Sequence, residues 1–201
     1  AVYYYRKVPR ASVRVGQALF EAGWSYFMQG NYRNALGVFH ALHSPYLDYR
    51  YYPELYILES TAYLNLCRFA NARDAVEAFN EKYASQSVPL KKFLASHMTP
   101  KALYDGLLKA ASGDKSVELP APFVEAVLGD VDFYNLYRTV RDLERELDML
   151  RVEGQTLGPY TDELKTRIQA QHGRTVTEMG IKIQQILKGA DTELTYLTIK
   201  A

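Results

Sequence analysis

The sequence predicts an all-α protein: stacked helix pairs of the α-solenoid type, followed by a long C-terminal helical hairpin. Three observations carry this. Gly23, Tyr26, Tyr32, Ala35, Phe39 and Leu42 are matched thirty-seven positions later by Ser60, Tyr63, Phe69, Ala72, Val76 and Phe79, each by a residue of similar type. Self-similarity at a period of about 20–50 residues marks a repeat architecture. Leu136, Val140, Leu143, Leu147 and Leu150 step alternately by four and three, the seam of a helix that packs along another helix. Gln29-Gly30-Asn31, His43-Ser44-Pro45 and Gly158-Pro159 punctuate these periodic stretches.

The first helix starts near Gln17, with Ala18, Leu19, Ala22 and Tyr26 at helical spacing. Gly30 and Asn31 tolerate the left-handed backbone that ends a helix. A second helix follows, with Ala35, Leu36, Phe39 and Leu42 on one stripe. Pro53 opens the next pair, because proline fits a first helical turn whose N–H groups are unbonded anyway. Leu55 to Tyr63 form its first helix, Cys67-Arg68 its turn, and Phe69, Ala72, Val76 and Phe79 its second. Cys67 is expected as a compact buried residue at that turn. Subtracting the same offset places Val2 and Tyr5 on Phe39 and Leu42, so Ala1–Lys7 is expected to be the tail of a further repeat, with more upstream. Beyond Tyr83 the period fades. Pro89 starts a short helix, Thr99-Pro100 caps another that runs to Ala111, and Ser112 to Pro122 is a polar linker. A second apolar series, Leu164, Ile168, Val176, Met179, Ile183, Ile186, Leu194 and Leu197, follows the Gly-Pro break. The expected organisation is residues 1–84 as repeats, 85–130 as short helices and linker, and 131–201 as the hairpin, either packed on the repeats or free-standing.

Small residues at 23, 35, 60 and 72 suit two helices whose backbones cross closely, with bulky residues one turn away filling the groove. Gly23, Tyr26, Gly30, Tyr32, Ala35 and Phe39, then Tyr63, Phe69, Ala72 and Phe79, resemble the tetratricopeptide repeat; Ser60 and Cys67 stand where that pattern has glycine. The resemblance covers residues 16–84. It implies a concave face lined by the first helix of each pair: Gln17, Phe20, Trp24, Phe27 and Met28, then Glu54, Ile57, Thr61, Leu64 and Asn65. This face is mainly apolar and lacks the Lys/Arg clamp with which chaperone-type members hold a terminal carboxylate. It suits an amphipathic helix of a partner, or the chain's own C-terminal segment.

Composition narrows the chemistry. The net charge is +1, which gives no overall field for nucleic acid or an anionic membrane. No apolar run reaches the roughly 18 residues of a membrane span. Cys67 is the only cysteine, so no intrachain disulfide forms. His40, His43, His97 and His172 lack partners at metal-ligand spacing, and no phosphate-binding glycine loop occurs. Glu144 and Glu146 belong to a charged helix surface. Neither catalytic, metal nor cofactor-binding residues are therefore assigned.

Tyrosine is over-used: 12 of the 17 lie in the first 83 positions, and Tyr46, Tyr49, Tyr51 and Tyr52 crowd one connection. Rigid rings with a polar tip serve either a partner interface or packing between neighbouring repeats. This tyrosine-rich style, from Ser44-Pro45-Tyr46 to Glu54, also resembles repeat proteins of bacterial cell-envelope assemblies, which implies a periplasmic or envelope location. The functional expectation is a non-enzymatic protein-binding scaffold. The alternative is a structural protein that self-associates through residues 131–201.

Overall fold

The computed structural model describes residues 1–12, 14–47, 50–154 and 158–201, and no strand occurs among the described residues. The chain divides into two units: residues 1–88 with 191–201, and residues 89–190.

The first unit holds α1 (Val2–Tyr5), α2 (Val15–Met28), α3 (Tyr32–Leu42), α4 (Pro53–Asn65) and α5 (Phe69–Lys82), then a 3-10 turn at Ala84–Gln86. It also takes the last residues of α10 (Tyr160–Lys200). Helix α2 packs on α3 and α4 on α5, while α4 touches both α2 and α3. The reason lies in the small residues. Ala35, Ala62 and Ala72 are buried, and so are Phe39, Leu42 and Phe79. At Gly23 the ring of Phe39 occupies the space that a Cβ would need. The ring of Phe39 thus packs directly on the bare backbone of α2 and gains full burial.

The ends of α2 and α4 are closed by one and the same device. The N–H groups of Gly30 and Asn31 donate to the carbonyls of Phe27 (2.9 Å) and Tyr26 (3.0 Å). Thirty-seven residues on, those of Cys67 and Arg68 donate to Leu64 (3.0 Å) and Tyr63 (2.9 Å). This double bond pattern requires a left-handed residue, and the φ values are 70° at Gly30 and 56° at Cys67. Cys67 is thus not the buried residue expected from the sequence; it is exposed. The position is set by backbone conformation, not by the space available to a side chain. A side chain in that conformation costs about 1–2 kcal/mol, part of which glycine gives back as unfolded-state entropy. Cys67→Gly is expected to stabilise the chain by about 0.5–1 kcal/mol, read as a raised urea midpoint, whereas Cys67→Ala leaves stability nearly unchanged.

The second unit holds α6 (Ser87–Ser96), except for its first two residues, with α7 (Pro100–Ala111), α8 (Ala121–Leu128), α9 (Val131–Glu153) and α10 as far as Ala190. Thr99 and Asp130 cap α7 and α9, their side chains accepting from Ala102 N–H (3.2 Å) and Phe133 N–H (2.8 Å). Side-chain contacts join α9 and its C-terminal cap to α10. The Thr161 hydroxyl donates to the Gly154 carbonyl (2.5 Å), His172 Nε2 lies 3.6 Å from Glu144, and Lys182 Nζ lies 2.9 Å from Asp132 and 3.3 Å from Asp130. The Asp132 hydrogen bond, helped by Asp130, holds the Lys182 ammonium above its ordinary pKa.

Along α10 the buried series is Val176, Met179, Ile183, Leu187, Ala190, Leu194 and Leu197. Leu187, and not the expected Ile186, carries the stripe; Ile186 is only half-buried. Steps of three, four and four span eleven residues in three turns, close to the natural period of a straight helix. A strict heptad reading lands one residue early at that point. The expected Leu164 is 41% exposed, so the apolar stripe is covered from Val176 onward and open near the start of the helix.

Candidate functional site

The expected binding face runs along α2 and α4. On α2, Phe20, Trp24 and Phe27 fall at helical spacing on one side, and their rings are partly engaged within the unit. Phe20 stacks on Tyr52 at 5.3 Å, Trp24 on Phe27 at 6.0 Å, and Phe27 meets the ring of Tyr32 edge-on at 5.5 Å. These contacts fix the rings while leaving each half-exposed. Gln17 and Met28 stand open, the latter 66% exposed. On α4, Leu64 and Asn65 are exposed, Thr61 is half-buried and Ile57 is buried. The Thr61 hydroxyl donates to Ile57 O and the Asn65 amide to Thr61 O, both at 2.8 Å. Their polar groups are spent on the helix's own backbone, which lowers the cost of covering them with an apolar partner.

At the Glu54 end the face is occupied by the chain itself. Residues 191–201 belong to this unit, with Leu194 and Leu197 buried. The Ser87 hydroxyl reaches Asp191 (3.5 Å), and the Glu193 carboxylate lies close enough to the Tyr51 phenol for the two to perturb each other. Burial, and then the adjacent Glu193, push the Tyr51 phenol far up. Burial also raises the Glu193 carboxyl above the usual range; Tyr51 pulls it back and Glu54 adds to the rise. A carboxyl raised on folding holds its proton more tightly in the native state. Its contribution to stability is present below the ordinary glutamate pKa and is lost as pH rises through the native one.

The connection between the helix pairs is anchored by Tyr83. Its hydroxyl accepts from Tyr52 N–H (3.2 Å) and donates to Arg50 O (3.3 Å), and the rings of Tyr51 and Tyr56 meet its edge at 5.5 and 5.8 Å. Of the four clustered tyrosines, Tyr51 and Tyr52 are therefore engaged inside the unit, and Tyr46 is 86% exposed. Tyr49 lies outside the described residues. A crevice beneath the connection, lined by Leu42, Arg50, Lys82 and Tyr83 among others, has room for about one water.

His43 also has a role that its sequence position did not disclose. Its Nε2 lies 2.9 and 3.0 Å from the two carboxylate oxygens of Glu59, which is only 7% exposed. The available signal was Glu59 itself, a carboxylate inside the apolar run Leu55 to Ala62, since a buried charge needs a partner. The pair ties the end of α3 to α4. No group of three or more His, Cys, Asp or Glu residues suited to a metal occurs among the described residues.

No protein-family model, curated protein or solved structure matches this chain. The geometry therefore stands alone. No helix of the described residues is long and apolar enough to cross a membrane. What the face offers chemically is a row of fixed aromatic and aliphatic groups, half-exposed, with spent polar groups between them. Such a row favours contact with apolar side chains of another polypeptide.

Proposed function

We propose that the chain is a non-enzymatic protein–protein interaction scaffold, whose tetratricopeptide-like helix pairs receive a peptide or helix of a partner within a multiprotein assembly. The single observation that carries this reading is the open end of the face, where Trp24, Phe27, Met28 and Leu64 are exposed or half-exposed on two helix pairs with identical end caps. The tyrosine-rich style favours a bacterial envelope assembly as the setting. A second reading has its own support. Met149 and Val152 near the end of α9 are 60% and 81% exposed, and Leu164 lies open on α10. These favour self-association of α9 and α10, read as a helical hairpin, through a coiled-coil contact.

Two sets of substitutions separate the readings. Trp24→Ala with Met28→Glu and Leu64→Glu is expected to abolish capture of a partner protein and to leave helix content and sedimentation unchanged. Met149→Glu with Val152→Glu is expected to spare capture and to dissociate any oligomer. Loss of capture only with the second set would transfer the function to the hairpin.

A further inference from the structure

We propose that the joint between the two helix pairs of the first unit is a proton-operated fastener: His43 stands there as the imidazolium against the buried Glu59 carboxylate, and the joint weakens when that proton leaves. Such a device works whether or not the face on α2 and α4 captures a partner.

The sequence puts the two groups at complementary places. His43 follows Leu42 at the C-terminal end of α3, where the last carbonyls of a helix favour a positive charge. Glu59 lies in α4 among Leu55, Tyr56, Leu58 and Ala62, all buried, and α3 packs on α4. His43 Nε2 meets both carboxylate oxygens, at 2.9 and 3.0 Å. Near-equal distances fit one N–H shared between the oxygens of an ionised carboxylate. A neutral acid would bring only its hydroxyl oxygen to the ring nitrogen. Among the described residues no other hydrogen-bond donor meets this carboxylate. A neutral imidazole could make the same bond, but it would leave a buried negative charge unbalanced. The imidazolium balances it and gains from the end of α3 as well.

The surrounding titratable groups divide in sign. On α4, Tyr56 meets the imidazole edge-on at 5.3 Å and carries no charge near neutral pH. On α2, which also packs on α3, the titratable groups are Glu21 and Tyr26, both half-buried. On α3 itself Arg33 and His40 are exposed to water and Tyr32 is half-buried. The cations that oppose the imidazolium are Arg50 of the connection and Lys82 of α5, which line the crevice shared with Leu42 and Tyr56. The Lys82 ammonium is held over the rings of Tyr56 and Tyr83, 5.9 and 5.7 Å from their centres. A carboxylate in direct contact with the imidazole outweighs like charges that meet a neighbouring ring, because Coulomb energy falls with distance.

The direction of the pH dependence follows. An imidazole paired with a carboxylate holds its proton more tightly in the native state than in the unfolded chain. The contribution of His43 to stability is then fully present below the ordinary imidazole pKa of about 6.5 and is lost as pH rises through the higher native value.

The full chain tests this in two ways. Two-dimensional NMR of the histidine rings from pH 5 to 9, with His43 assigned sequentially, is expected to give a titration midpoint at least about one unit above the ordinary value. A midpoint at or below that value overturns the proposal. In Glu59→Gln the midpoint is expected to fall back to the ordinary value or lower; a midpoint that stays high would show that Glu59 does not hold the proton, and overturns it too. Urea unfolding of the wild type and His43→Gln is the second measurement. The wild type's advantage in midpoint is expected to be larger at pH 6 than at pH 8.5, and an advantage that does not change with pH overturns the proposal. If either variant fails to fold, the wild-type titration decides alone.

Discussion

Gly180→Ala is expected to lower the thermal midpoint of the chain by about 5–10 °C, although alanine is the better helix former. The expectation comes from where α10 touches the start of α7. A Cβ built at position 180 overlaps the carbonyl oxygen, carbonyl carbon and Cα of Pro100. These are backbone atoms in the first turn of a capped helix, and they cannot rotate aside as a side-chain end can. The neighbours along α10 offer no slack either, since Met179 and Ile183 are fully buried and Thr175 and Val176 nearly so. The added methyl must therefore push α7 and α10 apart. Overpacking of this kind costs about 1–3 kcal/mol and more where backbone must move, which outweighs the propensity gain of up to about 1 kcal/mol. Gly189 on the same helix is the internal control. Nothing lies within 4 Å of a Cβ there, so Gly189→Ala is expected to raise the midpoint slightly. Circular-dichroism melts of the two variants should move in opposite directions. A rise in both would mean that the close approach at Gly180 does not exist in solution.

Why Gly180 was invisible in the sequence explains the limits of such a reading more generally. A glycine inside a long helical pattern looks like a small local penalty, and only the approach of Pro100, eighty residues earlier, gives it a purpose. Features governed by nearby residues were readable. The offset of thirty-seven marked both helix pairs and their end caps, the alternation of four and three marked α9, and Thr99-Pro100 marked the start of α7. Features governed by chain path were not. The pairing of His43 with Glu59 and the placement of Glu193 beside Tyr51 join residues with no shared period. Cys67 sits between these cases. Its alignment with Gly30 identified the turn correctly, but the sequence alone did not reveal that the shared requirement is a left-handed backbone. The face proposed to bind a partner was legible only as a set of positions on α2 and α4. Which part of it lies open could not be read, because that depends on residues 191–197 and on rings such as Tyr52 that pack across it.

The strongest test of the repeat logic is a transplant between its two copies. In the first pair Gly23 faces the ring of Phe39; the corresponding residues of the second pair are Ser60 and Val76. The first couples no side chain with a large ring, the second a small side chain with a smaller aliphatic one. Gly23→Ser alone is expected to cost about 2–3 kcal/mol, since Phe39 is fully buried and its ring has nowhere to go. Phe39→Val alone is expected to cost about 2–4 kcal/mol through the lost ring contacts and the cavity left behind. Together they recreate the second pair's combination within the first: the serine enters space the ring has vacated, and the valine needs less of it. The double variant is therefore expected to be more stable than the sum of the single costs allows, by at least about 1 kcal/mol, a coupling well outside the scatter of independent sites. Urea unfolding of the two single variants and the double closes the cycle. Strict additivity would show that the two helix crossings are not equivalent in solution, and with that the argument for a regular repeat face on α2 and α4 would fail.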